Sequence, residues 1–198
     1  MWLVVGLGNP GARYEQTPHN MGFLAVDRLA EASGIRISQP DSKALVGKGI
    51  VKAGQAEAPA ILAKPQTFMN LSGTSVKALL AKYELAPPDL LLVYDELALE
   101  WGSLRVRPKG SSAGHNGVQN VIDSLGTDEF ARIRLGIRPD HLAGNIEYVL
   151  SPMRGARKEA LDSILDTASR AMESVMTEGV DKAMAKYNRR AQGPKEEQ

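Results

Sequence analysis

The sequence contains no cysteine. Disulfides, thiolate zinc sites and a cysteine nucleophile are thereby excluded, which leaves any catalysis to His, Asp, Asn, Ser, Tyr or a metal held by harder ligands. No apolar run approaches the roughly 20 residues that a membrane-spanning helix needs. The first residues also lack a basic segment followed by an apolar stretch and a cleavage site. A cytoplasmic protein with no membrane partner is the expectation. Neither sign of charge dominates, since 24 Lys and Arg stand against 23 Asp and Glu, a net charge of +1.

What is present is the make-up of an ordinary globular protein, 43% hydrophobic and 24% charged over 198 residues. A chain of this length suits one domain, which would bury roughly 70% of its unfolded surface. The charge is unevenly spread. Residues 1–100 carry nine basic and ten acidic side chains, whereas residues 101–139 carry six basic (Arg105, Arg107, Lys109, Arg132, Arg134, Arg138) and three acidic. A phosphate-rich partner and a solvated face with scattered arginines both fit that excess.

Along the chain, Trp2 to Leu7 reads as a buried strand and "NMGFLAVDRLAEASG" as a helix stopped by Gly34. Two strands, "ALVGKGIVKAG" and "PAILAKP", are joined by a polar turn, and Asn70 or Ser72 is expected to cap a helix running to about Tyr83. "DLLLVYDEL" is the clearest strand. "SLRVRP" alternates as a half-exposed strand, "GSSAGHNG" reads as a flexible loop, "NGVQNVIDSLG" as a helix ended by Gly126, and "ARIRLGI" as a further strand. From Arg154 to about Tyr187 the pattern is helical with a break at Gly179. The expectation is a single α/β domain over residues 1–190, with a mixed, mostly parallel twisted sheet flanked by helices, and a polar tail at 191–198. Ligands of such sheets bind beyond the carboxyl ends of the strands.

Gly6, Gly8 and Gly11 match the dinucleotide-binding spacing G-x-G-x-x-G, but the context that motif needs is missing. Its third glycine must open a helix whose free N–H groups meet a pyrophosphate. Here Pro18 would break a helix begun near Gly11, and no second strand carries the acidic residue expected about 20 positions on. The loop offers Asn9, Tyr14, Thr17, His19 and Asn20 instead. A well-satisfied turn, with His19 or Asn20 as a helix cap, is the plain structural account of them.

Five blocks, "VGLGNPGARYEQTPHNMG", "PQTFMNLSG", "VYDELALEWG", "GHNGVQNVIDSLGT" and "ARIRLGI", together resemble bacterial-type peptidyl-tRNA hydrolase, in order and over nearly the whole chain. The resemblance implies hydrolysis of the ester between a peptidyl group and the 3′-terminal ribose of tRNA, without metal or organic cofactor. It implies that His19 is the catalytic base, suited to that role by an unperturbed imidazole pKa of about 6.5, and that Asp95 orients it. Asn70 is implied nearest the chemistry, with Asn9 and Asn116 holding the peptide backbone and the tRNA 3′ end, Met69 as an apolar wall and Tyr14 at the mouth of the site. Helix capping is the structural alternative for Asn70 and Asn116, and His115 receives only a supporting place. Arg107 and Arg134 are implied to grip the 5′-phosphate of the acceptor stem, where a guanidinium offers a fork that Lys lacks.

Three features depart from the family's pattern: Pro18 before the histidine, Ala98 after "DEL", and Ser111–Ser112 where glycines are usual. The expected partner is peptidyl-tRNA, through its acceptor stem, CCA end and nascent peptide, and the expected state is a monomer. The alternatives are an RNA-binding protein that has lost catalysis on the same scaffold and an esterase for small N-acylated substrates, which would have no use for the arginine pair.

Overall fold

In the computed structural model, which describes residues 1–139 and 145–188, the apolar run Trp2–Gly6 forms β1 near the middle of a seven-stranded sheet. A strand so placed is covered on both faces, which is why it reads as a continuous apolar run rather than an alternating one. It is followed by α1 (Met21–Ser33), β2 (Gln39–Asp41), β3 (Ala44–Ala53), β4 (Ala56–Pro65) and α2 (Ser72–Lys82). Then come β5 (Leu90–Glu100), β6 (Leu104–Arg107), α3 (Asn116–Leu125), β7 (Ala131–Arg138), α4 (Asn145–Val149), α5 (Ala156–Glu178) and α6 (Val180–Tyr187). The strand order is β2-β3-β4-β1-β5-β7-β6. β4, β1, β5 and β7 run parallel, and both edges are antiparallel. This is the expected mixed α/β domain. The expected tail at 191–198 lies outside the described residues.

Alternation along the strands divides the core into two layers. Val4, Leu62, Leu91, Val93, Ile133 and Leu135 face α1 and α5, while Leu3, Val5, Ile61, Leu92 and Tyr94 face α2 and α3. On the second face β6 and β7 carry arginine instead: Arg105 pairs in register with Arg134, and Arg107 with Arg132. The outer edge of β6 is closed by Asn188, which accepts from Val106 N at 2.7 Å and donates to Val106 O at 2.9 Å. That side chain supplies the two bonds a further strand would otherwise offer, so the edge is blunted.

The opening glycines have a packing role. A Cβ on Gly6 would lie 2.2 Å from Gly22 O, and one on Gly8 would lie 2.6 Å from the Phe23 ring. Both let α1 lie directly on the end of β1, where Leu7 O also accepts from Phe23 N. This close approach draws the 12–20 loop across the carboxyl end of the sheet.

Several local expectations need correction. Neither Asn70 nor Ser72 caps α2: Asn70 lies in a 3-10 turn, Met69–Leu71, and α2 begins without a side-chain cap. Ser72 Oγ instead bonds back to Met69 O. Asn20 stands at the start of α1 but bonds to Asn9 rather than to the helix. Asn116 does not cap α3, because His115 holds that position and its Nδ1 accepts from Val118 N. β2 and α4 were not foreseen, since elements of three and five residues are too short to display a period.

Candidate active site

At the carboxyl ends of β1, β4 and β5 lies a groove of about 490 Å³, lined by Asn9, His19, Met69, Asn70, Asp95, Asn116, Phe68, Glu96, Leu97, His115 and others. Six side chains singled out in the sequence therefore meet in one place, although they come from five separate stretches. Tyr14, Arg107 and Arg134 do not line it. Tyr14 is half-buried in the 12–14 turn, where Arg13 donates to its hydroxyl.

The groove is organised by Asp95. Its carboxylate is buried, 2% exposed, at the point where β5 leaves the core, and each oxygen meets a different histidine. His19 Nδ1 lies 2.9 Å from Oδ2, and His115 Nε2 lies 2.9 Å from Oδ1. His19 arrives from the α1 side of the sheet and His115 from the α3 side. Pro18 opens the short 3-10 turn that carries His19, where its fixed φ suits the first position of a helical turn. The departure from the family's pattern at that position is thus accommodated locally.

The electrostatics follow from this arrangement. Burial pushes the Asp95 carboxyl up, but the charge interaction and hydrogen bond of His115 and those of His19 outweigh it and hold the group well below the usual carboxylate range. Burial pulls His19 down, and the Asp95 hydrogen bond and charge more than offset it, so its pKa lies above the ordinary 6.5. With the Nδ1 proton directed at Asp95, the Nε2 lone pair of His19 is the one left for chemistry. The donor atoms of His19, Asp95 and His115 lie within 4.8 Å of one another. Both imidazole nitrogens that face the carboxylate sit 2.9 Å from its oxygens, at hydrogen-bond distance.

Around this relay the asparagines divide. Asn9 is buried and locked: Asn20 bonds its backbone on both sides, at 2.9 and 3.0 Å, and its own Oδ1 accepts from Met69 N at 2.8 Å. Asn9 thus ties the β1 loop to the β4–α2 loop. Asn70 and Asn116 are exposed, and their amides make no hydrogen bond among the described residues. The 110–115 loop, expected to be flexible, is anchored by Ser112 Oγ to Gln119 at 2.7 Å and by Arg132 to Ser111 O at 3.3 Å.

Arg134 reaches the groove indirectly. Its Nε and Nη2 both donate to Glu96 Oε2, at 3.0 and 2.8 Å, and Glu96 lines the groove. Arg107 is exposed and unpaired among the described residues. Two groove-lining positions were not legible, in whole or part, in the sequence. Phe68, 55% exposed at the rim, was legible only as one apolar residue in a quoted block, and His115 needed the β5–α3 contact to acquire its partner.

The model of the family described as Peptidyl-tRNA hydrolase matches residues 3–196. The chain belongs to the peptidyl-tRNA hydrolase family. A protein of Solibacter usitatus named peptidyl-tRNA hydrolase is 50% identical over 194 residues, covering 98% of this chain and 97% of that one. Its namesake in Koribacter versatilis is 46% identical over 98% and 96%. The crystal structure of the peptidyl-tRNA hydrolase of Acinetobacter baumannii superposes with a TM-score of 0.83 at 33% identity, covering 95% and 94% of the two chains. None of these peptidyl-tRNA hydrolase matches supports an inactive binding protein. Among the described residues no helix is long and apolar enough to cross a membrane.

Proposed function

We propose that this chain hydrolyses the ester joining a peptidyl group to the 3′-terminal ribose of tRNA, with His19 as general base. The single observation that carries the reading is the 2.9 Å contact between Asp95 Oδ2 and His19 Nδ1. It leaves Nε2 of His19 to take a proton from the attacking water, and it places a carboxylate where the resulting imidazolium is stabilised. Asn70, with a free amide, positions that water or donates to the oxyanion that develops at the ester carbonyl. The Oδ1 of Asn9 is already used, so Asn9 meets the substrate as a donor, through Nδ2, to a peptide carbonyl. Asn116 holds the 3′ end of the CCA, Met69 and Phe68 give the apolar wall, and Tyr14 stands at the mouth.

Arg107 and Arg134 bind phosphate of the acceptor stem, so recognition rests on backbone charge and shape rather than sequence. No cofactor enters the reaction, and the working form is a cytoplasmic monomer. Incubation with N-acetyl-aminoacyl-tRNA and with unblocked aminoacyl-tRNA tests the proposal. Release of the acetylated amino acid, with the unblocked substrate spared, is the expected result; no cleavage of the blocked substrate despite salt-sensitive tRNA binding would overturn it.

A further inference from the structure

The orientation of the His115 ring is fixed from both sides. Its Nδ1 accepts the Val118 N–H at 3.3 Å, so Nε2, 2.9 Å from Asp95 Oδ1, is the nitrogen that donates to the carboxylate. The ring is nearly enclosed, 9% exposed, and meets Tyr94 edge-on with centroids 5.1 Å apart. A carboxylate held by one donor can turn about its last bond; one held at both oxygens cannot. Asp95 therefore presents Oδ2 to His19 in a single orientation, and its charge is shared between two imidazole donors instead of resting on one.

We propose that His115 is a positioning residue for the general base: an imidazole whose Nε2–H pins the Asp95 carboxylate and draws on its charge, thereby setting the basicity of His19. The inference rests on the reading of His19 as the base. The other titratable groups on β5, β7, α3 and α4 are Tyr94, Glu96 and Glu100 on β5, Arg132, Arg134 and Arg138 on β7, Asp123 on α3, and Glu147 and Tyr148 on α4; Arg132 and Arg138 are bonded to the backbone oxygens of Asp128 and Ala98, and Asp123 accepts from Gln119. Glu96 is neutralised by Arg134, Tyr148 donates to Ile137 O, and Glu147 is exposed. The group that shares Asp95 with His19 is therefore His115.

Two substitutions separate this role from that of a helix cap. His115→Gln places an amide nitrogen where Nε2 stood and keeps the donor to Asp95. His115→Asn places an amide oxygen where Nδ1 stood, which keeps the acceptor for Val118 N–H and loses that donor. The readout is kcat/KM for N-acetyl-aminoacyl-tRNA as a function of pH, on full-length variants whose melting temperatures establish that they fold. His115→Gln is expected to stay within about threefold of the native enzyme with its acidic limb unmoved. His115→Asn is expected to lose about tenfold or more, with the acidic limb raised by about half a pH unit or more as Asp95 turns its whole charge on His19. His115→Phe, which keeps the ring against Tyr94, carries the same expectation as His115→Asn and replaces it should that variant not fold. A fully active His115→Asn with an unmoved limb, or a His115→Gln as impaired as His115→Asn, would overturn the proposal. His19→Ala run beside them distinguishes the two claims, because a near-normal rate there removes the base itself and not merely its positioning.

Discussion

At the end of β5, Asp95 has a partner on each oxygen, His115 nearly enclosed and His19 partly so. Two strands away, Arg107 on β6 lies open with no partner among the described residues. Between these extremes, Arg134 is 21% exposed and half committed, with Nε and Nη2 on Glu96 and Nη1 left over. The contrast separates two tasks. A base must have its proton affinity set before substrate arrives, and only buried, mutually bonded groups hold that setting. A phosphate contact needs reach and charge, and it loses little by waiting in solvent. The same sheet edge also warns against counting arginines. Arg132 is 1% exposed, bonds to Ser111 O and Asp128 O, and lies over the Phe130 ring, while Arg105 is bonded to Asn188 O. Arg132, buried and bonded through both Nη1 and Nη2, has no fork to offer phosphate, and Arg105 has committed its Nη1.

Breaking the enclosed side should cost the most. His19→Ala is expected to lower turnover on N-acetyl-aminoacyl-tRNA by about 10²–10⁴-fold while leaving the melting temperature nearly unchanged, since the ring is only partly enclosed. Asp95→Asn should follow, at about 10²-fold. An amide can accept from one histidine only and presents a donor to the other, so the relay loses its charge and one of its tautomers. A variant with intact turnover would mean that the base works without the carboxylate.

On the open side the effects should be smaller and of another kind. Arg134→Ala is expected to raise KM several-fold and also to move the acidic limb of kcat/KM upward, because Glu96 then stands unneutralised beside Asp95. Arg107→Ala should weaken tRNA binding by a few-fold and reduce the salt slope of log Kd by about 1, with the pH profile unchanged. Binding measured across a salt series, together with turnover across pH, checks both. Should Arg107→Ala shift the pH profile, or Arg134→Ala leave the salt slope untouched, the division between the two regions would be drawn in the wrong place.

Much of this was legible in the sequence, and unevenly so. The central strands and the long helices announce themselves because each is covered on one or two faces and keeps its period over many residues. His19, Asp95, Asn70, Asn9, Met69 and Asn116 could be named from quoted motifs, yet nothing local in those motifs states that they meet. That follows from Gly6 and Gly22, which bring α1 against β1 at a distance only glycine allows. The role of His115 was out of reach for the same reason: its chemistry is decided by Val118 on one side and by Asp95, twenty positions away, on the other. The capping expectation for Asn70 and Asn116 erred in an instructive direction. An asparagine before a helix usually bonds to it, and here both amides remain free beside the groove, available to a ligand.

Asp95 raises the proton affinity of His19, and in the proposed mechanism His19 must be neutral to act. A raised pKa means that the base is lost on the acid side sooner than an ordinary imidazole would be. The direct test is kcat/KM for N-acetyl-aminoacyl-tRNA between about pH 5 and pH 9, because that ratio reports the free enzyme. The expected result is a fall on the acid side with a midpoint above the ordinary imidazole value of about 6.5, displaced downward in Asp95→Asn. A rate that stays level to pH 5, or a midpoint that Asp95→Asn leaves in place, would contradict it.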